Sequence, residues 1–477
     1  MDPLVATTRG RVRGVMREHD VAFLGIPYAQ PPFGDLRFAA PAPVDKWKGV
    51  IPATKFAPTA PQPERRFTLI PEPIIEGGEA PPCLSLNVFT PADVAKKGGA
   101  LPVFVWIHGG GFTAGTPSSP WYDGAAFTRD GIVVVSLGYR LGCEGFLKLD
   151  DAPANRAVLD CIAGLEWVHA NIARFGGDPA RVTIGGQSAG GGMVTILAAH
   201  ERGAELCNGA IAMSGTAMRL GGSERAARTA AKIAEAAGLP LTVDAFASMA
   251  PSKLIEIQEA ARLDRSTSLA PTVDGTVIAA YLPAAIDQGA TASIPMLAGA
   301  TTEEGVGPQR NAKATADELN ALLDRLGLDE AGKRAFRSMY PKAKNGELRA
   351  RALTDSEFRV GPVRLAERRA ALPEAAPTFL YETAWQSPGL ENIGAVHCID
   401  IPFAFDCLAD EWAQNVCGGR APQAMADAMH GAFVRFITDG DPGWAPYDPS
   451  GSRTTMVFNA DSRVFDDPHA PLRAIWP

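Results

Sequence analysis

Short, uninterrupted apolar runs constrain this chain more than any other feature. Val103 to Ile107 reads VFVWI and Ile132 to Ser136 reads IVVVS. Such β-branched and aromatic runs, without polar alternation, describe strands buried on both faces. Leu84 to Phe89, Val182 to Ile184, Gly209 to Met213, Met296 to Gly299 and Thr378 to Tyr381 carry further strand signals. Helical patterns fall between them. Val158, Ile162, Leu165, Val168 and Ile172 recur at intervals of three and four and so line one helix face. Ala189 to His200 reads as the next helix, the Ala-rich stretch from Ser223 to Arg262 as outer helices, and Pro422 to Thr438 as a last helix stopped by Gly440-Asp441-Pro442-Gly443. Strands alternating with helices predict an α/β fold with a mostly parallel central sheet flanked by helices.

The chain has no internal repeat and no low-complexity linker, so residues 1–477 read as a single domain. Residues 312–372 are charged and helix-forming, which predicts helical insertions and a partly separate helical lobe within that domain. Pro58 to Pro82 reads as a long surface loop.

Charge narrows the partners. A net charge of −8 argues against nucleic acid and anionic membranes. No stretch approaches the ~20 apolar residues of a membrane span. The start, MDPLVATTRGRVRG, has no apolar stretch behind a basic end, so no secretory signal is expected. Seven cysteines, an odd number with no CxxC pair, predict reduced thiols and a cytoplasmic protein.

Two glycine-rich motifs carry the chemistry. Gly186-Gln187-Ser188-Ala189-Gly190 fits G-x-S-x-G and sits between a predicted strand and a predicted helix. That is the setting of a nucleophile elbow, where small neighbours let a serine hydroxyl project from a tight turn. His108-Gly109-Gly110-Gly111-Phe112 follows the VFVWI strand. Glycines there let backbone N–H groups approach a developing oxyanion. The expected donors are the N–H groups of Gly110, Gly111 and Ala189. The alternatives are a plain flexible glycine loop and a phosphate-binding loop, and the lack of a following G-K-[ST] argues against the second. A general base must come from a histidine. The order nucleophile, acid, histidine leaves His397, His430 and His469, with His200 inside the helix after the elbow.

These motifs belong to a longer ordered series that resembles the type-B carboxylesterase family, which includes cholinesterases and bacterial p-nitrobenzyl-type esterases. Phe23-Leu24-Gly25-Ile26-Pro27-Tyr28-Ala29, Leu36-Arg37-Phe38 and Cys83-Leu84-Ser85-Leu86-Asn87-Val88 resemble its early blocks. HGGGF, VVVSLGYRLG, FGGDPARVTIGGQSAGG, Asp441-Pro442 and Trp444-Ala445-Pro446-Tyr447 continue the series over nearly the whole length. The resemblance implies an α/β-hydrolase fold and a serine carboxylesterase acting on a small-molecule ester without metal or organic cofactor. It also implies the catalytic residues. His397, in Gly394-Ala395-Val396-His397, resembles the family's catalytic histidine. Glu304, next to Gly305, resembles its acid, with Glu303 and Asp400 as alternatives. Ser214 resembles a buried serine behind the triad that hydrogen-bonds the acid–base pair, and Gln187 and Asp400 fall in the same surrounding shell. Phe112 and Phe67 are candidate pocket walls. Arg140 and Asp160 suggest a structural ion pair.

The chain departs from the family pattern in three places. Gln187 stands where the family usually has Glu, which removes a negative charge beside the site and weakens the case for a choline-like cationic substrate. Ala60 stands where secreted members have a cysteine that pairs with the equivalent of Cys83, and Pro81-Pro82 replaces an acidic pair. The span from Glu304 to His397 is short for the family. Two other readings remain open: hydrolysis of carbamates, amides or lactones on the same triad, and a non-catalytic binding module on the same fold.

Overall fold

The computed structural model describes residues 3–64, 69–94, 99–264 and 266–476. An eleven-stranded sheet organises them. Its spatial order is Arg463–Asp466, Thr454–Phe458, Thr378–Thr383, Met296–Thr301, Gly209–Met213, Gly177–Gln187, Leu101–Ile107, Val133–Leu137, Ser85–Pro91, Asp20–Pro27 and Val15–Met16. The strands from Thr454–Phe458 through Val133–Leu137 pair in parallel, and the pairs at both margins are antiparallel. A second sheet of Leu4–Ala6, Arg11–Arg13 and Val50–Pro52 stands beside it.

The VFVWI run lies near the middle of the large sheet and is fully buried. Its side chains divide by alternation. Val103, Val105 and Ile107 join one apolar core with Val133, Val135 and Ile184. Phe104 and Trp106 join another with Val134, Ile211 and Phe405. The helix Arg156–Asn171 lays Val158, Ile162, Leu165 and Val168 on the first core. The helix Gln423–Asp439 lays Met425, Met429, Phe433 and Phe436 on the second. The sheet thus has helices on both faces, as the sequence predicts.

The helices Ala316–Arg325, Glu330–Met339, Asn345–Thr354 and Val360–Ala370 fill most of 312–372. Leu319, Leu323, Phe336 and Leu348 form a third, smaller core among them. Leu472 and Trp476, from the end of the chain, complete it. The short helix Ala470–Ile475 therefore docks on the lobe, and His469 beside it is buried. Among the described residues no helix is long and apolar enough to cross a membrane.

Candidate active site

The strand Gly177–Gln187 ends one residue before Ser188, and the helix Ala189–Ala199 begins one residue after it. Ser188 has φ 58° and ψ −120°, a region that costs a residue with a Cβ about 1–3 kcal/mol. The turn is held from both sides. Ser188 N–H donates to the Met213 carbonyl at 2.8 Å, and its own carbonyl accepts from Gly192 at 2.9 Å. A Cβ on Gly190 would strike the Ile107 carbonyl, and one on Gly215 would strike the Ser188 carbonyl. The glycines are there because neighbouring backbone passes too close for anything larger.

The triple-glycine loop leaves the strand Leu101–Ile107 and turns sharply. Gly110 (φ 111°), Gly111 (φ 64°) and Phe112 (φ 63°) are all left-handed. Tyr139 anchors the loop: its hydroxyl donates to the His108 carbonyl at 2.8 Å, and its ring stacks on the His108 ring at 4.4 Å. The N–H groups of Gly111 and Ala189 have no acceptor among the described residues. Gly111 and Ala189 line a cavity with Ser188, and Gly110 and Gly111 line a second cavity with it.

This second cavity, about 390 Å³, is also lined by Gln187, Glu304 and His397. Its carboxylate and imidazole come from loops beyond adjacent parallel strands, Met296–Thr301 and Thr378–Thr383. The Glu304 side chain is fully buried while His397 is 28% exposed at the cavity. His397 Nδ1 donates to Glu304 Oε2, and the other carboxylate oxygen accepts from Thr301 N–H at 2.8 Å. The backbones join as well, His397 N–H to the Glu304 carbonyl at 3.0 Å. Burial pulls the His397 pKa down, but the adjoining Cys398 and Glu304 outweigh it, and the net direction is well up. The Ser188 hydroxyl makes no hydrogen bond among the described residues. The Gln187 amide nitrogen sits 3.3 Å from His397 Nε2 and 3.4 Å from Nδ1, over the ring rather than along either lone pair. Contacts between nucleophile and base are often loose before substrate binds.

The alternatives for the acid have other employment. Glu303 is held by Arg310 at 2.7 Å and Arg351 at 3.0 Å. Asp400 lies behind the pair, fully buried, with the Tyr381 hydroxyl donating to Oδ2 at 3.4 Å and nothing on Oδ1. Burial and the nearby Glu304 push its pKa up to about 7. Ser214 is buried in the wall beyond the elbow, but its hydroxyl has no partner. The expected hydrogen bond from Ser214 to the acid–base pair is not formed among the described residues; its backbone, at φ 48°, donates to the Gly299 carbonyl.

The other histidines are structural. His430 bridges the Ala404 carbonyl and Asp130, His200 caps the helix Glu201–Ala204, and His469 lies buried 3.9 Å from Glu382. Arg140 and Asp160 form a buried ion pair at 2.7 Å. Phe112 lines the first cavity, and Phe67 lies outside the described residues. Sequence reasoning missed Tyr381, read only as a strand residue, and Phe358, whose ring lies 4.9 Å from that of His397. Neither sits in a motif.

A mostly parallel sheet with a strand–serine–helix elbow at one strand end and an imidazole–carboxylate pair on neighbouring loops is an α/β-hydrolase arrangement, here that of a carboxylic ester hydrolase. The chain belongs to the carboxylesterase family, whose model matches residues 1–465. It is 31% identical to the para-nitrobenzyl esterase of Bacillus subtilis (strain 168), over 98% of this chain and 97% of that protein. It is 33% identical to the fumonisin B1 esterase of Sphingopyxis macrogoltabida, over 96% and 86% of the two chains. The crystal structure of carboxylesterase EST55 from Geobacillus stearothermophilus superposes with a TM-score of 0.88 at 33% identity, covering all of both chains.

Proposed function

We propose that the chain is a serine carboxylesterase with Ser188 as nucleophile, His397 as general base and acid, and Glu304 as the carboxylate that orients it. One observation carries this reading. His397 holds a buried carboxylate through Nδ1 on the wall of a cavity that Ser188 also lines. With the proton on Nδ1, Nε2 is left as the lone-pair nitrogen that takes the Ser188 proton.

The reaction runs in two halves. Ser188 Oγ attacks the ester carbonyl as His397 accepts its proton. The carbonyl oxygen becomes an oxyanion facing the N–H groups of Gly110, Gly111 and Ala189. His397 returns the proton to the leaving alcohol, and the acyl group stays on Ser188. Water then repeats the attack with the same base and frees the acid. Each step uses side chains and backbone of this chain. The raised His397 pKa requires activity to climb with pH, with an acid limb above that of free imidazole, because only the neutral ring can take the proton.

The names of the relatives, para-nitrobenzyl esterase and fumonisin B1 esterase, support small-molecule esters as the substrate class. We read residues 1–477 as one catalytic domain. The helices of 312–372 form a lobe over the site: they have a core of their own and bring Phe358 to His397. Seven free thiols, six of them buried, support a reducing, cytoplasmic location.

The test is release of nitrophenol from a short-chain p-nitrophenyl ester, abolished in Ser188→Ala, with stoichiometric labelling of Ser188 by a serine-directed phosphonate. A wild type with neither turnover nor labelling would overturn the reading.

A further inference from the structure

Two cavities meet at Ser188, and they differ in charge. The one lined by His397 must receive the leaving alcohol, because His397 protonates that oxygen. The acyl chain, on the other side of the carbonyl carbon, then occupies the cavity of about 410 Å³ that runs past Gly111 and Ala189 and is not lined by His397.

Four arginines from three segments line this acyl-side cavity, against one acid, Glu357. Arg219 follows the strand Gly209–Met213, and Arg225 lies in the helix Ser223–Ala237. Arg364 and Arg368 stand one turn apart on the helix Val360–Ala370. In a chain of net charge −8 this is a local reversal of sign. Two of the four are already engaged, Arg364 with Glu367 at 2.7 Å and Arg368 with Asp287 at 2.6 Å. The other two are not. Arg225 donates to the Pro271 carbonyl at 3.1 Å, its Nε has no partner, and no carboxylate pairs with it among the described residues. Burial pulls its pKa down. Arg219 is exposed and has no partner among the described residues. Leaving a half-buried guanidinium without a counter-ion is costly, and a cavity floor is where a ligand can supply one. The rest of the wall, including Phe112, Met218, Leu220 and Phe358, suits a methylene chain.

We propose that this cavity selects acyl chains ending in a carboxylate, held by Arg219 and Arg225, so that half-esters of dicarboxylic acids are the preferred substrate class. The inference rests on the Ser188–His397 reading, which fixes which cavity receives the acyl group. The guanidinium groups pair with the carboxylate by charge-assisted hydrogen bonds, which are stronger than neutral ones and geometrically matched to that group.

The experiment compares monoethyl esters of the dicarboxylic acids from succinate to suberate with ethyl alkanoates in which a methyl replaces the free carboxylate, at pH 7.5. For at least one chain length, the wild type turns over the half-ester with kcat/KM about tenfold above its neutral match. That ratio falls about tenfold in Arg225→Gln and in Arg219→Gln, and Arg219→Glu reverses it. Rising salt narrows the wild-type ratio, since Arg219 is exposed. Phosphonate labelling of Ser188 in each variant reports an intact elbow. Turnover of the neutral esters with no half-ester preference at any length overturns this inference alone, as does a preference that survives in both Gln variants. A wild type inert toward every ester and unlabelled overturns the triad reading and this inference with it.

Discussion

Two of the buried charged pairs in this molecule are treated in opposite ways. Arg140 and Asp160 are both sealed from solvent. Arg140 gives Asp160 three donors: Nε at 2.8 Å, a terminal nitrogen at 2.7 Å and its own backbone N–H at 3.1 Å. Glu304 and Asp400 are as deeply buried, but Asp400 faces another carboxylate and has a single long donor in Tyr381. Gln187 Oε1, Ser214 Oγ, Thr301 Oγ1 and Thr383 Oγ1 also lack partners among the described residues. Saturated bonding marks the pair that braces the sheet. The sparsely bonded Asp400 lies behind the proposed acid–base pair, where a carboxylate not already neutralised by strong partners can still act on a neighbouring imidazole.

The sharpest way to break the contrast is to neutralise the one carboxylate of the second pair that is bonded to His397. Glu304→Gln keeps the shape but cannot hold the Nδ1–H tautomer of His397 or stabilise the imidazolium. A drop in kcat of about 10³ to 10⁴ is expected, about 4 to 5.5 kcal/mol of transition-state stabilisation, with a melting temperature close to wild type. An ester assay beside a thermal melt checks it. Activity within tenfold of wild type would mean that another group orients His397.

The same manipulation of the first pair should have the opposite character. Asp160→Asn leaves the Arg140 guanidinium buried without its counter-charge. A loss of about 3 to 5 kcal/mol in stability is expected, read from the midpoint of urea unfolding, with kcat per folded molecule little changed. If instead the variant unfolds like wild type, the pair is not the brace that its geometry describes.

The two regions were also unequally legible in the sequence. The strands VFVWI and IVVVS could be read because they are apolar on both faces, whereas Arg140 and Asp160 were singled out beside the family resemblance. The elbow and the triple-glycine loop were legible because tight turns demand glycine locally. The acid and the base were not legible in that way. Glu304 and His397 are 93 residues apart along the chain, and only resemblance to a family singled them out. The edge strand Arg463–Asp466 went unread because it is exposed throughout and carries no apolar alternation that burial would demand. Ser214 illustrates the limit from the other side. Its place in the wall beside Ser188 is where the resemblance implies, yet the direction of its hydroxyl depends on a left-handed backbone that no residue type announces.

The smallest effect, and the most diagnostic of the contrast, concerns Asp400. Its pKa is raised from 3.8 to about 7, chiefly by burial and then by Glu304. The folded protein therefore holds a proton that the unfolded chain has already released between those two values. Stability falls with pH wherever the native state binds more protons, so this group favours folding fully below about pH 4 and loses that contribution as pH rises through about 7. Asp400→Asn removes the titration while keeping the shape. At pH 4 the variant and the wild type should unfold at similar urea concentrations; at pH 8 the variant should be the more stable of the two. Catalysis should respond in the same sense. Without an ionisable neighbour the His397 pKa drops, and the acid limb of kcat/KM moves to lower pH. A stability difference that stays constant between pH 4 and pH 8 would show that Asp400 is as well compensated as Asp160, and the distinction between the two buried pairs would disappear.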